Sequence, residues 1–171
     1  MQTIPVHLGN LWYIVNSKDR RLTQNKLKAW WEEAKRIMIK KVSHIGLAVE
    51  DLEEARAFFA ENFDLSGSEN ETFGELLFSF LPVGGTNLEL LQSTQPEGQI
   101  AKFIKKRGQG IHHISFEVDD IQGELDRLKT KGLQLINETP YLNAHKELVA
   151  FIHPKSTFGI LIELIQTKQE Q

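Results

Sequence analysis

The chain has 171 residues, 40% hydrophobic and 25% charged, with a net charge of −3 and no cysteine. That length holds one ordinary domain or two small fused modules, and the missing thiols exclude a disulfide framework, a thiolate nucleophile and a zinc–thiolate site. No apolar run reaches the roughly 18–20 residues of a membrane-spanning helix, and the basic residues gather near the N-terminus while the remainder is net acidic. Neither a membrane nor a nucleic acid is therefore an expected partner.

Residues 1–38 read as an N-terminal extension. A helix is expected there over about residues 23–39, capped by Thr23, with Leu27, Trp30, Trp31, Ala34 and Met38 on one apolar stripe. The start lacks the pattern of a secretory or mitochondrial leader, so a cytoplasmic location is expected. Met38 also stands where a shorter chain could begin, directly ahead of the first strand at Val42.

From Val42 onward the chain repeats itself. His44-Ile45-Gly46-Leu47-Ala48-Val49-Glu50-Asp51-Leu52 returns as His113-Ile114-Ser115-Phe116-Glu117-Val118-Asp119-Asp120-Ile121, sixty-nine residues later. Each copy reads as a strand ending at an Asp, then an amphipathic helix over residues 51–62 or 119–131. Asp51 and Asp120 are the expected caps. Glu75-Leu76-Leu77-Phe78-Ser79-Phe80-Leu81-Pro82 aligns with Glu147-Leu148-Val149-Ala150-Phe151-Ile152-His153-Pro154, and Leu88-Glu89-Leu90-Leu91 with Ile162-Glu163-Leu164-Ile165. The expected architecture is α+β, with paired βαβββ modules at residues 39–98 and 110–171. A basic helix at residues 99–109, stopped by Gly108 and Gly110, links them.

The polar residues within this repeat carry the chemistry. His44 and His113 hold equivalent places on the first strands, and Glu89 and Glu163 on the last. Each glutamate interrupts an apolar run, where an unpaired buried carboxylate is very costly. One divalent cation shared by the copies would neutralise both carboxylates and employ both imidazoles. A sulfur-free set of two His and two Glu suits Co, Mn, Ni, Zn or Fe and leaves coordination positions for substrate, as catalytic sites do. His112 neighbours His113, and strict alternation along a strand would turn it to the opposite face, so it is expected to be a structural residue or one that supports a ligand.

These blocks also carry a family resemblance. Lys41-Val42-Ser43-His44-Ile45-Gly46, Asn87-Leu88-Glu89-Leu90-Leu91, Gly110-Ile111-His112-His113-Ile114 and His153-Pro154-Lys155-Ser156-Thr157 with Leu161-Ile162-Glu163-Leu164 resemble the methylmalonyl-CoA epimerases of the vicinal oxygen chelate superfamily. The resemblance covers about residues 39–167. It implies a cup-shaped mixed sheet around the metal and an isomerase whose substrate is an acyl-CoA thioester. The metal would chelate the thioester carbonyl and carboxylate of a 2-methylmalonyl group, or a related 2-substituted acyl group, and stabilise the enediolate formed at C2. A homodimer is compatible with it.

Epimerisation implies two acid/base groups, and Glu163 at the metal would be one. In some family members a glutamate precedes the strand's proline by five residues, a place held here by Leu77. Glu75, two residues earlier, is the candidate for the second group. His145 is retained in a loop where the family carries glycines, but Asn143, Lys146 and Phe158 depart from that pattern. Lys102, Lys105, Lys106, Arg107 and Lys155 are candidates for contacts with the phosphates of coenzyme A. Two other functions fit the same residues: a glyoxalase I-like lyase or isomerase acting on another small substrate, and a non-enzymatic binding or resistance protein.

Overall fold

The computed structural model describes residues 3–8, 11–16 and 39–167. The chain divides into two compact units, Met1–Arg36 and Ile37–Gln171. In the first, β1 (Thr3–Leu8) and β2 (Leu11–Asn16) pair antiparallel, with Leu8 opposite Leu11. The sequence holds a signal for this hairpin, two apolar runs separated by Gly9-Asn10, although only a helix was expected in the extension. That helix lies outside the described residues except at Ile39, which instead opens a strand.

The second unit contains β3 (Ile39–Ala48), α1 (Leu52–Phe63), β4 (Glu71–Phe73), β5 (Leu76–Val83) and β6 (Thr86–Ser93). After the linking helix α2 (Gln99–Arg107) the same order returns as β7 (Gly110–Val118), α3 (Ile121–Thr130), β8 (Tyr141–Leu142), β9 (Leu148–Ile152) and β10 (Leu161–Gln166). The eight strands of this unit form one mixed sheet in the order β4-β5-β6-β3-β7-β10-β9-β8. The expected pair of βαβββ modules is therefore present, and the two halves mirror one another across the β3–β7 seam. Within each half the first and last strands run parallel, and β3 and β7 run antiparallel.

Local chemistry sets these elements. The Asp51 carboxylate accepts from the Glu54 backbone N–H at 3.0 Å, and Asp120 accepts from Gly123 at 3.0 Å, so both helices begin on the expected caps. Helix α2 ends at Gly108, whose φ of 80° lies in the left-handed region open to glycine.

Alternation along the strands separates two faces. On one, α1 covers Leu52, Leu81 and Leu90, with Leu47, Leu77 and Phe59 packed beside them. On the same face of the second half, α3 places Ile121 and Leu125 against Val118, Ala150, Ile152 and Leu164. The other face carries Ala48, Phe78, Leu91 and Ile100 together with the polar residues of the repeat. Burying one such aliphatic side chain contributes about 1.5–3 kcal/mol, so α1 and α3 hold the sheet from one side while the other, where α2 packs through Ile100, forms the site. Leu125 is fully buried. Its truncation, Leu125→Ala, is expected to lower the unfolding free energy by about 2–5 kcal/mol, read as a lower urea midpoint.

Candidate metal centre

His44 and His113 lie on the two central strands, and Glu89 and Glu163 on their parallel neighbours. Glu89 pairs with Gly46, two residues after His44, and Glu163 pairs with Ser115, two residues after His113. A side-chain period of two therefore sends all four groups to the same face. The two Nε2 atoms come within 3.0 Å of each other. Glu89 Oε2 lies 3.6 Å from His44 Nε2 and 3.4 Å from His113 Nε2, while Glu163 Oε2 lies 3.0 and 3.8 Å from the same atoms. His44, Glu89 and His113 form a group able to hold a metal ion, with donor atoms all within 4.8 Å of one another.

Several features test whether a cation fits. With metal–donor bonds of about 2.0–2.2 Å, neighbouring ligands stand roughly 3.0–3.5 Å apart, close to the spacings found here. The Glu163 Oε2 atom is buried and has no hydrogen-bond partner among the described residues, a costly state that a cation relieves. Gly46 gives the imidazoles room: a Cβ there would sit 2.2 Å from His113 Cε1.

Electrostatics point the same way. Burial pushes the Glu89 carboxyl up to about 7, against the pull of the His44 imidazole. Burial opposes ionisation of Glu163 too, but the His44 and His113 imidazoles outweigh it and hold that carboxyl below its ordinary range. His113 is pushed down to about 3 and His112 to about 4, both by burial. A buried neutral imidazole offers a lone pair to a metal.

His112 overturns one expectation. It borders the same cavity as His113, and its Nδ1 lies 3.0 Å from His113 Nδ1. The cause is a register shift: Gly46 pairs with His113 but Leu47 pairs with Ile111, so His112 is an extra residue in β7. Such a bulge breaks the alternation and re-aims a side chain. A matching shift between Val42 and His44 frees Ser43, whose hydroxyl lies 3.4 Å from His44 Nδ1. Each histidine thus has its Nδ1 turned to the residue before it and its Nε2 turned to the centre.

Pairing also corrects the sequence alignment of the third strands. Phe80 pairs with Glu89 and Phe151 with Glu163, so the two phenylalanines are the equivalent positions. The ungapped alignment is one residue out, and Leu76 rather than Glu75 matches Glu147. Glu75 sits in the turn before β5, and its carboxylate accepts from the Gln99 backbone N–H at 2.7 Å, at the start of α2. It does not border the cavity, whereas His145 and Glu147 do. Leu77 faces the helix side with Leu52 and Leu90. The strand's cavity-facing positions, Leu76, Phe78 and Phe80, hold no ionisable group.

The cavity around the four donors measures about 440 Å³ and is walled by Phe73, Phe78, Phe80, Tyr141 and Phe151. The description "Glyoxalase/Bleomycin resistance protein/Dioxygenase superfamily" matches residues 43–151. The chain belongs to that superfamily. It is 35% identical over 133 residues to an ethylmalonyl-CoA/methylmalonyl-CoA epimerase of Cereibacter sphaeroides, covering 75% of this chain and 99% of that one. A mitochondrial methylmalonyl-CoA epimerase of Dictyostelium discoideum is 35% identical over 132 residues, covering 75% of this chain and 80% of its own length. The crystal structure of methylmalonyl-CoA epimerase from Mycobacterium tuberculosis superposes with a TM-score of 0.71 at 28% identity, covering 76% of this chain and 89% of that chain. These relatives place the chain among the epimerase-like enzymes of the superfamily, as its repeated blocks imply. None of the described helices is long and apolar enough to cross a membrane.

The raised Glu89 carboxyl has a consequence for the metal-stripped protein. Between its ordinary value of 4.5 and about 7, the folded chain keeps a proton that the unfolded chain releases. Stability therefore falls as pH rises through that window. Glu89→Gln is expected to stabilise the stripped protein at pH 8 by about 1–3 kcal/mol and to change little at pH 5, read by thermal unfolding. Adding a divalent metal at pH 8 should reverse the order, because only the wild type gains a neutralised carboxylate.

Proposed function

We propose that the protein is a metal-dependent epimerase of 2-methylmalonyl-CoA or a closely related 2-substituted acyl-CoA. The observation that carries this reading is the four-donor set, two imidazoles and two carboxylates, at the floor of an apolar cavity. His44, Glu89, His113 and Glu163 would be the ligands of one divalent ion. When bound, that ion supplies positive charge where negative charge develops as C2 loses its proton.

The chain's own residues supply the rest. Glu163 is the proposed base at C2, because it reaches the centre from β10 and borders the cavity. The phenylalanine wall gives the reacting carbon apolar surroundings, which strengthens charge interactions beside it. Ser43 and His112 hold the two imidazoles in place. The exposed Lys102, Lys105 and Lys106 of α2 are the proposed partners of the coenzyme A phosphates.

Metal-loaded protein incubated with methylmalonyl-CoA in deuterated water is expected to invert C2 and incorporate deuterium there. Glu163→Gln should slow both by at least about 100-fold. Absence of exchange above buffer, with turnover of a hemithioacetal instead, would favour a glyoxalase-type isomerase. A metal-free, chelator-insensitive protein would favour a binding module.

A further inference from the structure

Inversion at C2, on which this inference depends, requires a proton to leave one face of the carbon and another to arrive on the opposite face. Glu163 reaches the centre from β10 in the second half of the sheet. Its complement must border the cavity from the other side, and β5 offers no candidate. Outside the four donors, the ionisable groups bordering the cavity are His112, Tyr141, His145 and Glu147. His112 stands beside His113 on β7, with its Nδ1 turned to that ring. Glu147 precedes β9, next to β10, and already accepts from Asn143 Nδ2 at 3.1 Å. Tyr141 carries a phenol whose acidity burial weakens further.

His145 is placed differently. It belongs by sequence to the second half but packs on the wall of the first, with its ring centroid 6.1 Å from Phe78 and 5.9 Å from Phe80. Phe80 in turn stands edge-on to His44 at 5.8 Å. Its Nε2 lies 2.7 Å from Glu71 Oε2 on β4, while Nδ1 has no partner among the described residues. Glu71 pairs with Phe78 across β4 and β5, so it shares the cavity face.

The loop that carries His145 is built rather than loose. Asn143 Oδ1 accepts from the backbone N–H groups of His145 and Glu147 at 3.0 and 2.9 Å. Lys146 takes a φ of 60°, the left-handed region that costs a non-glycine residue about 1 kcal/mol or more, and Ala144 packs on the cluster around Phe78.

We propose that His145, oriented by Glu71, is the second proton-transfer group of the site, acting on the face of C2 opposite Glu163. A carboxylate on one imidazole nitrogen fixes the ring and leaves the other nitrogen to exchange a proton. The two side chains are 41% and 40% exposed, so the pair can exchange protons with solvent between turnovers. In one direction the Glu163 carboxylate takes the C2 proton, and the C–H electron pair delocalises into the adjoining carbonyls. The His145 imidazolium then gives its N–H proton to the opposite face, where the new C–H bond forms. Glu163 is left protonated and His145 neutral, and the reverse direction uses the same groups in exchanged roles.

The test follows each epimer separately in deuterated water with the metal-loaded chain. Expected for His145→Gln is a fall in inversion of about 100- to 1,000-fold, with metal content unchanged. The epimer whose C2 proton faces Glu163 should still exchange that proton with retention. Glu71→Gln should lower kcat of inversion about tenfold at constant KM, and added imidazole should restore part of the inversion in His145→Ala. Wild-type inversion rates in His145→Gln would overturn the assignment, as would parallel loss of exchange for both epimers. Failure of the wild-type chain to exchange either epimer would instead overturn the epimerase reading itself, and this assignment with it.

Discussion

A buried and a partly buried carboxylate converge with two buried imidazoles on one point at the seam between the modules, and the design of the domain follows from holding them there. Left to themselves they are a poor arrangement: burial raises Glu89, lowers His113 and leaves a Glu163 oxygen unsatisfied. The surrounding structure must tolerate that cost, which a bound cation would offset. The helices on the opposite face provide the compensation. They bury Leu52, Leu90, Leu125 and Leu164, so the sheet remains fixed while its other side carries unfavourable charge.

The two-fold repeat accounts for the four converging groups but not for the proposed acid/base chemistry. A centre built from equivalent residues treats both faces of a bound molecule alike. Directionality has to come from positions where the halves differ. The third strand contributes Leu76, Phe78 and Phe80 to the cavity, and the loop before β9 contributes His145 and Glu147. One wall is thus largely apolar and aromatic, and it draws an imidazole from the other half through the contact between His145 and Glu71.

Much of this was legible in the sequence, and the parts that were not have identifiable causes. The repeat revealed the modules, the helix caps and the four polar groups that converge at the seam, because an acid interrupting an apolar run such as Ile160-Leu161-Ile162-Glu163-Leu164 is conspicuous. His112 was misread because alternation assumes an unbroken strand, and a bulge leaves no mark on composition. Glu75 was misplaced for a related reason. The blocks around Phe80 and Phe151 align equally well one residue apart by hydrophobicity, and only strand pairing with the two glutamates fixes the register. The bridge between Glu71 and His145 joins residues 74 apart in sequence, a contact that no local pattern encodes.

The antiparallel β3–β7 seam has an implication for origins. Because the halves meet through equivalent strands, a free-standing copy of either half would expose that strand along its whole length as an unpaired edge. The natural way to cover it is a second identical copy, which would place one ion on the molecular two-fold axis with a histidine and a glutamate from each subunit. Fusion of two such genes through the α2 segment would preserve the shared centre and release each half to mutate independently. An asymmetry like that between the two walls here would be closed to such a homodimer, whose copies must change together.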